Sequence, residues 1–258
     1  MIDNIDSKNY ILYNMNEDKE ILSLSPDERI SIASLTKIMT LIVAIENIKN
    51  LDEKIIITSN DLEGLLEEDD SVAGLCEGEE VTYCDLLYAL FLPSGADAAR
   101  ALANNIGGNV NSFVRLMNKK VKQLNLINTH FSNVTGLDKK NNYSSVKDVL
   151  IMLKYALQNK IFYKIFTAKE YITSDSLLTL YSTFWQTAAK YNYDMNYVIG
   201  AKTGYTDAAG KCLATLAIDS KNSTSYILVT CGANTTTEDA YHIKDASSIY
   251  KYCFKRYK

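Results

Sequence analysis

The spacing of hydrophobic residues divides the chain into strand-like ends and a helical middle. Alternating apolar and polar residues over 9–15 and 20–24, with the polar turn 16–19 between them, predict an N-terminal hairpin. The apolar run 38–45 is hydrophobic on almost every side at helical pitch, which is typical of a helix buried inside a domain. Segments 86–92, 96–106 and 110–124 predict further helices.

The same patterns predict the fold class. After a helix over about 145–158, strand patterns return at 197–205, 211–218 and 225–231, before a closing helix over about 238–257. We therefore expect an α+β fold: a mainly antiparallel sheet of about five strands flanked by helices, with an inserted all-helical lobe. We place the α/β lobe at roughly 1–55 and 145–258 and the helical lobe at roughly 56–144, in one domain with a cleft between the lobes.

Composition and charge exclude several classes of function. At 258 residues and 47% hydrophobic content the chain can form a substantial core. A net charge of −4 without a basic cluster argues against nucleic-acid and membrane-surface binding. The longest apolar run is far shorter than the roughly 20 residues of a membrane span, and the first residues do not have the pattern of a signal peptide.

Cysteine and histidine usage predicts no metal site and no cofactor. The five cysteines form no C-x-x-C pair, and neither histidine stands beside a cysteine or the other histidine. Cys212 and Cys231 fall on successive predicted strands, so either a disulfide or two buried free thiols fits, and buried thiols are favoured.

A serine three positions before a lysine occurs at Ser34/Lys37, at Ser144/Lys147 and at Ser248/Lys251. Only Ser34 precedes a buried helix, where residues three apart share one face and Lys37 can reach the Ser34 hydroxyl. To accept that proton near neutral pH, the pKa of Lys37 must fall from about 10.4 to about 7, which burial and a nearby like charge can supply. We expect Lys202 to be that like charge, and N–H groups at the helix start to stabilise an oxyanion.

Two further segments carry candidate chemistry. Ser94 lies in the turn Pro93–Gly95 between two predicted helices, and Lys202-Thr203-Gly204 lies on a predicted strand. Structural interpretations exist for each: an N-cap for Ser34, a turn residue for Ser94 and a strand entering a turn for Lys202–Gly204. The acidic run 67–70 predicts a solvent-exposed loop.

Taken together, these motifs resemble the D-alanyl-D-alanine carboxypeptidases, the low-molecular-mass penicillin-binding proteins of the S11 peptidase type, in the serine β-lactamase/DD-peptidase superfamily. Three motifs stand in the family's order: Ser34-Leu35-Thr36-Lys37, Ser94-Gly95-Ala96, and Lys202-Thr203-Gly204. The similarity extends to Thr135-Gly136-Leu137 and to the segment from Gly200 to Gly210.

The resemblance implies acyl transfer on peptidoglycan stem peptides that end in D-Ala-D-Ala. Ser34 would attack the carbonyl between the two D-alanines, Lys37 would take its proton, and Ser94 would relay protons. The backbone N–H groups of Ser34 and Tyr205 would form the oxyanion hole, while Lys202 and Thr203 would hold the terminal carboxylate. Gly204 would let the peptide lie against the strand edge. β-Lactams would acylate the same serine.

Two departures from the family pattern affect this expectation. Ala96 stands where an asparagine is frequent, so the amide that would contact substrate and lysine is missing. The chain also has no arginine between Arg115 and Arg256, although many relatives bind carboxylate with one near the last helix. His242 lies near the expected place, and we expect it to bind carboxylate when protonated, with affinity falling above about pH 6.5.

Three functions remain open from the sequence. A D-Ala-D-Ala carboxypeptidase leads; a catalytically idle peptidoglycan-binding relative and a serine β-lactamase are the alternatives. The resemblance implies an extracytoplasmic enzyme of the cell envelope. Relatives commonly carry a further β-rich domain and an amphipathic anchor, and we expect this sequence, which ends at Lys258, to comprise the catalytic domain only. The oligomeric state is left undetermined.

Overall fold

The structure, a computed structural model, describes residues 5–65, 70–236 and 239–256. Its strands are β1 (Asn9–Asn14), β2 (Lys19–Leu24), β3 (Lys54–Ile56), β4 (Glu80–Thr82), β5 (Glu170–Ile172), β6 (Thr179–Tyr181), β7 (Val198–Thr206), β8 (Gly210–Asp219) and β9 (Thr224–Ala233). Its helices are α1 (Thr36–Asn47), α2 (Ser59–Leu62), α3 (Tyr83–Phe91), α4 (Ala96–Gly107), α5 (Val110–Gln123), α6 (Val146–Ala156), α7 (Lys160–Thr167), α8 (Thr183–Lys190) and α9 (Tyr241–Arg256).

A five-stranded antiparallel sheet joins the two ends of the chain. Its strand order is β2-β1-β9-β8-β7, so the N-terminal hairpin pairs with the C-terminal strands. The register of β1 on β9 runs from Asn9 opposite Cys231 to Asn14 opposite Tyr226. The predicted α+β class and the five-stranded sheet are confirmed. Strand β7 stands at the end of this order, which leaves one of its backbone edges available to the cleft.

Helix α1 is the centre of the larger hydrophobic core. Every residue from Thr36 to Ile45 is buried, as expected for a helix that is apolar on nearly all sides. It packs against α3, α4, α5 and α6. On the opposite face of the sheet, α9 buries Ile243, Ala246, Tyr250 and Cys253 in a second cluster, and their spacing of three and four places them on one face of the helix.

Several elements were not predicted from the sequence. The hairpins β3-β4 and β5-β6 have three residues in each strand, too few for a clear alternating pattern. The helices α7 and α8 have eight residues each and follow polar turns. Their absence from the prediction matters because α8 contributes to the cleft. The predicted lobe boundaries stay a prediction.

Two further expectations concern membranes and thiols. Within the ranges given above, no helix combines the length and the hydropathy that a bilayer crossing requires. Cys212 and Cys231 are both buried free thiols. A hydrogen bond from Cys212 and burial raise the pKa of the Cys231 thiol well above its ordinary value, so it is protonated and unreactive at neutral pH.

Candidate active site

Ser34 lies in a single 3-10 turn, Ala33–Leu35, which leads into α1. The sequence predicts a helix starting at Ser34, but the regular helix begins at Thr36. The residue before Ser34 has a left-handed backbone, with φ +47 at Ala33. Such a conformation costs a non-glycine residue on the order of 1–3 kcal/mol and persists only where surrounding contacts impose it.

Two glycines pack against this turn and hold it. A β-carbon on Gly136 would lie 1.9 Å from the Ala33 carbonyl oxygen, and a β-carbon on Gly204 would lie 2.9 Å from the Ser34 nitrogen. The φ of Gly136 is +101, which a side chain rarely adopts. The nucleophile turn is therefore enclosed by backbone from two distant parts of the chain.

Lys37 lies one turn after Ser34, with its side chain fully buried. Its Nζ is 3.2 Å from Ser34 Oγ and donates to the Thr135 carbonyl oxygen at 3.0 Å. A neutral amine has two N–H groups and one lone pair, so the bond to Thr135 fixes one N–H and leaves the lone pair for the serine hydroxyl. This arrangement is what a general base for Ser34 requires.

Burial lowers the pKa of the Lys37 ammonium, while the carboxylates of Asp70 and Asp97 oppose that effect. The direction agrees with a lysine that acts as a base. Of the two expected causes, burial is confirmed for Lys37, whereas the like charge acts on the other lysine. Burial lowers the pKa of Lys202 well below its ordinary value, and the charge of Lys37 lowers it further.

Ser94 and Lys202 form a second serine–lysine pair. Lys202 Nζ donates to Ser94 Oγ at 2.9 Å and to the Thr203 carbonyl oxygen at 2.9 Å. Ser94 follows Pro93 at the end of α3 and has φ +67, a left-handed conformation that turns the chain before α4. Both side chains are almost completely buried, at 5% and 1% exposure. The pair is thus preorganised on the wall of the cleft.

The next residues of β7 line the cleft at the edge of the sheet. The Thr203 hydroxyl lies 2.5 Å from the hydroxyl of Thr183, at the start of α8. Gly204 faces the Ser34 turn, and Tyr205 is 54% exposed, with its hydroxyl donating to Asp207. The assignment of the Tyr205 N–H to an oxyanion hole stays a prediction.

His242 does not have the charge that we expected from it. It lines the cleft from the first turn of α9, but burial, aided by the charge of Lys211, lowers its pKa to about 4. In the substrate-free chain the ring is therefore neutral across the range in which we expected titration, which argues against the predicted change of affinity above about pH 6.5. Lys211 itself lines the cleft, opposite Tyr205 in the β7–β8 register, and donates to the Asp239 carbonyl oxygen.

One residue of the acidic run 67–70, Asp70, differs from its prediction. Residues 67–69 lie outside the described residues. Asp70, expected to be solvent-exposed, has a side chain that is only 7% exposed and an Oδ1 that lies 3.8 Å from Lys37 Nζ. A carboxylate in a run of acidic residues gives no sequence signal of burial, because such a run usually marks a solvated loop.

The cleft has a volume of about 1350 Å³ and contains the groups described above. Ser34, Ser94, Thr203, Gly204, Tyr205 and His242 all line it, whereas Lys37 and Lys202 lie beneath its surface. The sequence missed Thr183, Lys211 and Asp70, together with the role of the Thr135 carbonyl. No group of three or more His, Cys, Asp or Glu residues within the described ranges is arranged to hold a metal ion.

Comparison with known proteins agrees with this geometry. A family model described as D-alanyl-D-alanine carboxypeptidase, peptidase S11, matches residues 1–235. D-alanyl-D-alanine carboxypeptidase DacF of Bacillus subtilis is 33% identical over 238 residues, which cover 90% of this chain and 59% of the relative. The chain thus spans less than two thirds of that relative's length.

Proteins of Streptomyces match over more of their own length. The D-alanyl-D-alanine carboxypeptidase of Streptomyces sp. (strain K15) is 35% identical over 199 residues, which cover 72% of this chain and 68% of the relative. The crystal structure of the Streptomyces K15 DD-transpeptidase superposes with a TM-score of 0.86 at 29% identity, and the match covers 98% of both chains.

Proposed function

Because the chain belongs to the peptidase S11 family of D-alanyl-D-alanine carboxypeptidases, we propose that it removes the terminal D-alanine from peptidoglycan stem peptides through an acyl-enzyme on Ser34. The observation that carries this proposal is the meeting of two serine–lysine pairs in one cleft, Ser34 with Lys37 and Ser94 with Lys202. Family members are enzymes of the cell envelope, and we propose the same location for this chain.

In the first half-reaction, Ser34 Oγ attacks the carbonyl carbon between the two D-alanines as Lys37 takes the hydroxyl proton. The negative charge then forms on the former carbonyl oxygen. Backbone N–H groups of Ser34 and Tyr205 stabilise it, and one such donor typically contributes on the order of 10²–10³ in rate. Collapse of the tetrahedral intermediate breaks the C–N bond, and the Ser94 hydroxyl relays the proton from Lys37 to the leaving amine, which returns Lys37 to its neutral form. Water hydrolyses the ester in the second half-reaction.

The terminal carboxylate of the substrate binds at the edge of β7. Lys202 and Thr203 provide an amine and a hydroxyl there, and Thr183 orients the Thr203 hydroxyl through the bond at 2.5 Å. We assign to Lys211 the cationic role that we expected of His242, because Lys211 lines the same part of the cleft. Lys211 also stands opposite Tyr205 in the β7–β8 register, beside the strand edge where the carboxylate is proposed to bind.

Intact-mass spectrometry after penicillin treatment tests the nucleophile, with peptide mapping and a Ser34→Ala control. A persistent adduct on Ser34, together with release of D-alanine from an acyl-D-Ala-D-Ala peptide, supports the carboxypeptidase. Rapid turnover of the drug supports a β-lactamase. If no adduct forms and no D-alanine is released, the result supports the idle relative. Addition of an amine acceptor distinguishes hydrolysis from transpeptidation, the activity that names the Streptomyces structure.

A further inference from the structure

Asp70 is a buried carboxylate on the cleft wall that the proposed mechanism does not use. Its side chain is 7% exposed, and Oδ1 lies 3.8 Å from Lys37 Nζ. Among the described residues, its Oδ2 has no hydrogen-bond partner. Burying a carboxylate is costly unless an opposite charge compensates it, and the group that lies nearest with such a charge is Lys37.

The position of Asp70 is fixed by the start of α4. The Asp97 carboxylate accepts backbone N–H groups from Ala73, Gly74 and Leu75, at 2.9–3.1 Å. Directly after Asp70, the Ser71 carbonyl oxygen accepts the Ala96 N–H at 2.7 Å. These bonds hold the segment that carries Asp70 across the first turn of α4.

Ala96 stands at the start of α4, next to the segment that carries Asp70. Its side chain is a methyl group, so α4 offers Lys37 no polar partner from this position. The contacts of Lys37 Nζ are then Ser34 Oγ, the Thr135 carbonyl oxygen and the Asp70 carboxylate. Asp70 is the only one of these three groups that carries a charge.

Within the described part of the chain, three charged groups act on the two lysines besides Lys202 itself: Asp70, Asp97 and Lys37. Lys37 is acted on by Asp70 and Asp97, and Lys202 is acted on by Lys37 and Asp70. A single carboxylate, that of Asp70, contacts this pair of buried amines, so it stabilises one ammonium in the pair. Because Asp70 contacts Lys37, that ammonium is on Lys37. Asp97 is a weaker influence, since its oxygens already accept four backbone N–H groups, those of Ala73, Gly74, Leu75 and Ala98.

We propose that Asp70 is a positioning residue of the Ser34–Lys37 pair: it is the counter-ion of the Lys37 ammonium and sets the pH above which Lys37 can take the serine proton. This inference rests on the proposed function, in which Lys37 is the base for Ser34. Asp70 stabilises the charged amine, whereas the neutral amine is the active form. Loss of the carboxylate therefore moves the acid limb of the acylation rate to lower pH.

The test is the second-order rate of Ser34 acylation by a fluorescent penicillin, measured over about pH 5 to 9 in the full chain. For Asp70→Asn we expect the acid limb to move down by about 1–3 pH units, the usual effect of one contacting opposite charge. The rate should then exceed the wild-type rate at the acidic end and fall below it on the plateau, because the base is weaker. Asp70→Glu keeps the charge and should keep the limb near its wild-type position.

Glu63→Gln is the matched control, since it removes the same charge from an exposed carboxylate side chain beside the cleft. Glu63→Gln should leave the acid limb of the acylation rate at its wild-type pH. A uniform loss of rate in Asp70→Asn without a shift would show a merely structural role and overturn the inference, as would an equal shift in the control. If penicillin does not acylate the wild type at any pH, the proposed function falls and this inference with it. Thermal unfolding of each variant verifies that it is folded.

Discussion

The close approach of Gly204 to the nucleophile turn gives the sharpest prediction, which concerns Gly204→Ala. The added β-carbon would lie 2.9 Å from the Ser34 nitrogen, 3.2 Å from the Ala33 β-carbon and 3.3 Å from the Leu35 nitrogen. All three are atoms that the turn cannot rotate away. The strand and the turn must therefore separate by several tenths of an ångström, at the place where the oxyanion is proposed to bind.

The expected loss of acylation rate follows from the small displacement that the donors of an oxyanion hole tolerate. Its donors act at about 2.7–3.1 Å, and removing one costs on the order of 10²–10³ in rate. The φ of Gly204 is not positive, so alanine meets no conformational penalty there. Overpacking costs about 1–3 kcal/mol of stability, which a domain stable by about 5–15 kcal/mol tolerates. We expect a folded protein with acylation about 10²-fold slower.

Acylation by the fluorescent penicillin measures this loss, and thermal unfolding confirms that the variant is folded. Gly108→Ala is the control: its φ is +75 and no atom lies within 4 Å of the added β-carbon, so it introduces backbone strain away from the turn. Its acylation rate should equal that of the wild type. An acylation rate for Gly204→Ala within about threefold of wild type would refute the reasoning, because a displaced donor cannot cost so little.

Three further predictions concern binding and support of the site. Thr183→Val removes the hydroxyl that lies 2.5 Å from Thr203 at nearly constant volume; we expect KM for an acyl-D-Ala-D-Ala peptide to rise about fivefold with kcat kept, equivalent to about 1 kcal/mol of binding. Lys211→Met should raise KM about tenfold and weaken its dependence on salt, and an unchanged KM at low salt would exclude Lys211 from carboxylate binding. Asp97→Asn replaces one acceptor oxygen with a donor, so that some of the backbone N–H groups bound by Asp97 lose their acceptor, and it should lower the free energy of unfolding by about 1–3 kcal/mol in denaturant titrations.

The sheet and the buried helix were predictable because their patterns are long and regular. A run of apolar residues over 38–45 can only be a buried element, and the three C-terminal strands have nine or ten residues each. Ser34 and Ser94 could be selected because they stand just before helices, and Lys202 because it lies within a long strand. What decided their assignment was the order of three motifs, since each motif alone also fits an ordinary cap or turn.

The missed residues have no local signal. Thr183 begins a helix of eight residues, and its importance comes from the Thr203 hydroxyl, which is distant in sequence. Asp70 was expected to be exposed because it ends an acidic run, yet hydrogen bonds to Ala96 and Asp97 draw its segment against α4. The pKa of His242 depends on its burial in the folded chain and on the charge of Lys211, which composition cannot reveal.

Backbone strain in the site follows from the same tertiary contacts. Ala33 and Ser94 both have positive φ, and both stand shortly before a helix, where the hydroxyl of Ser34 or of Ser94 lines the cleft. The Ala33 conformation is imposed by Gly136, whose missing side chain lets the backbones meet where a β-carbon would lie 1.9 Å from the carbonyl oxygen. Strain of about 1–3 kcal/mol per residue is then offset by a core that encloses every residue of α1 from Thr36 to Ile45. The buried helix therefore does more than stabilise the fold: it supplies the rigidity that keeps Ser34 and Lys37 3.2 Å apart in a turn that would otherwise relax.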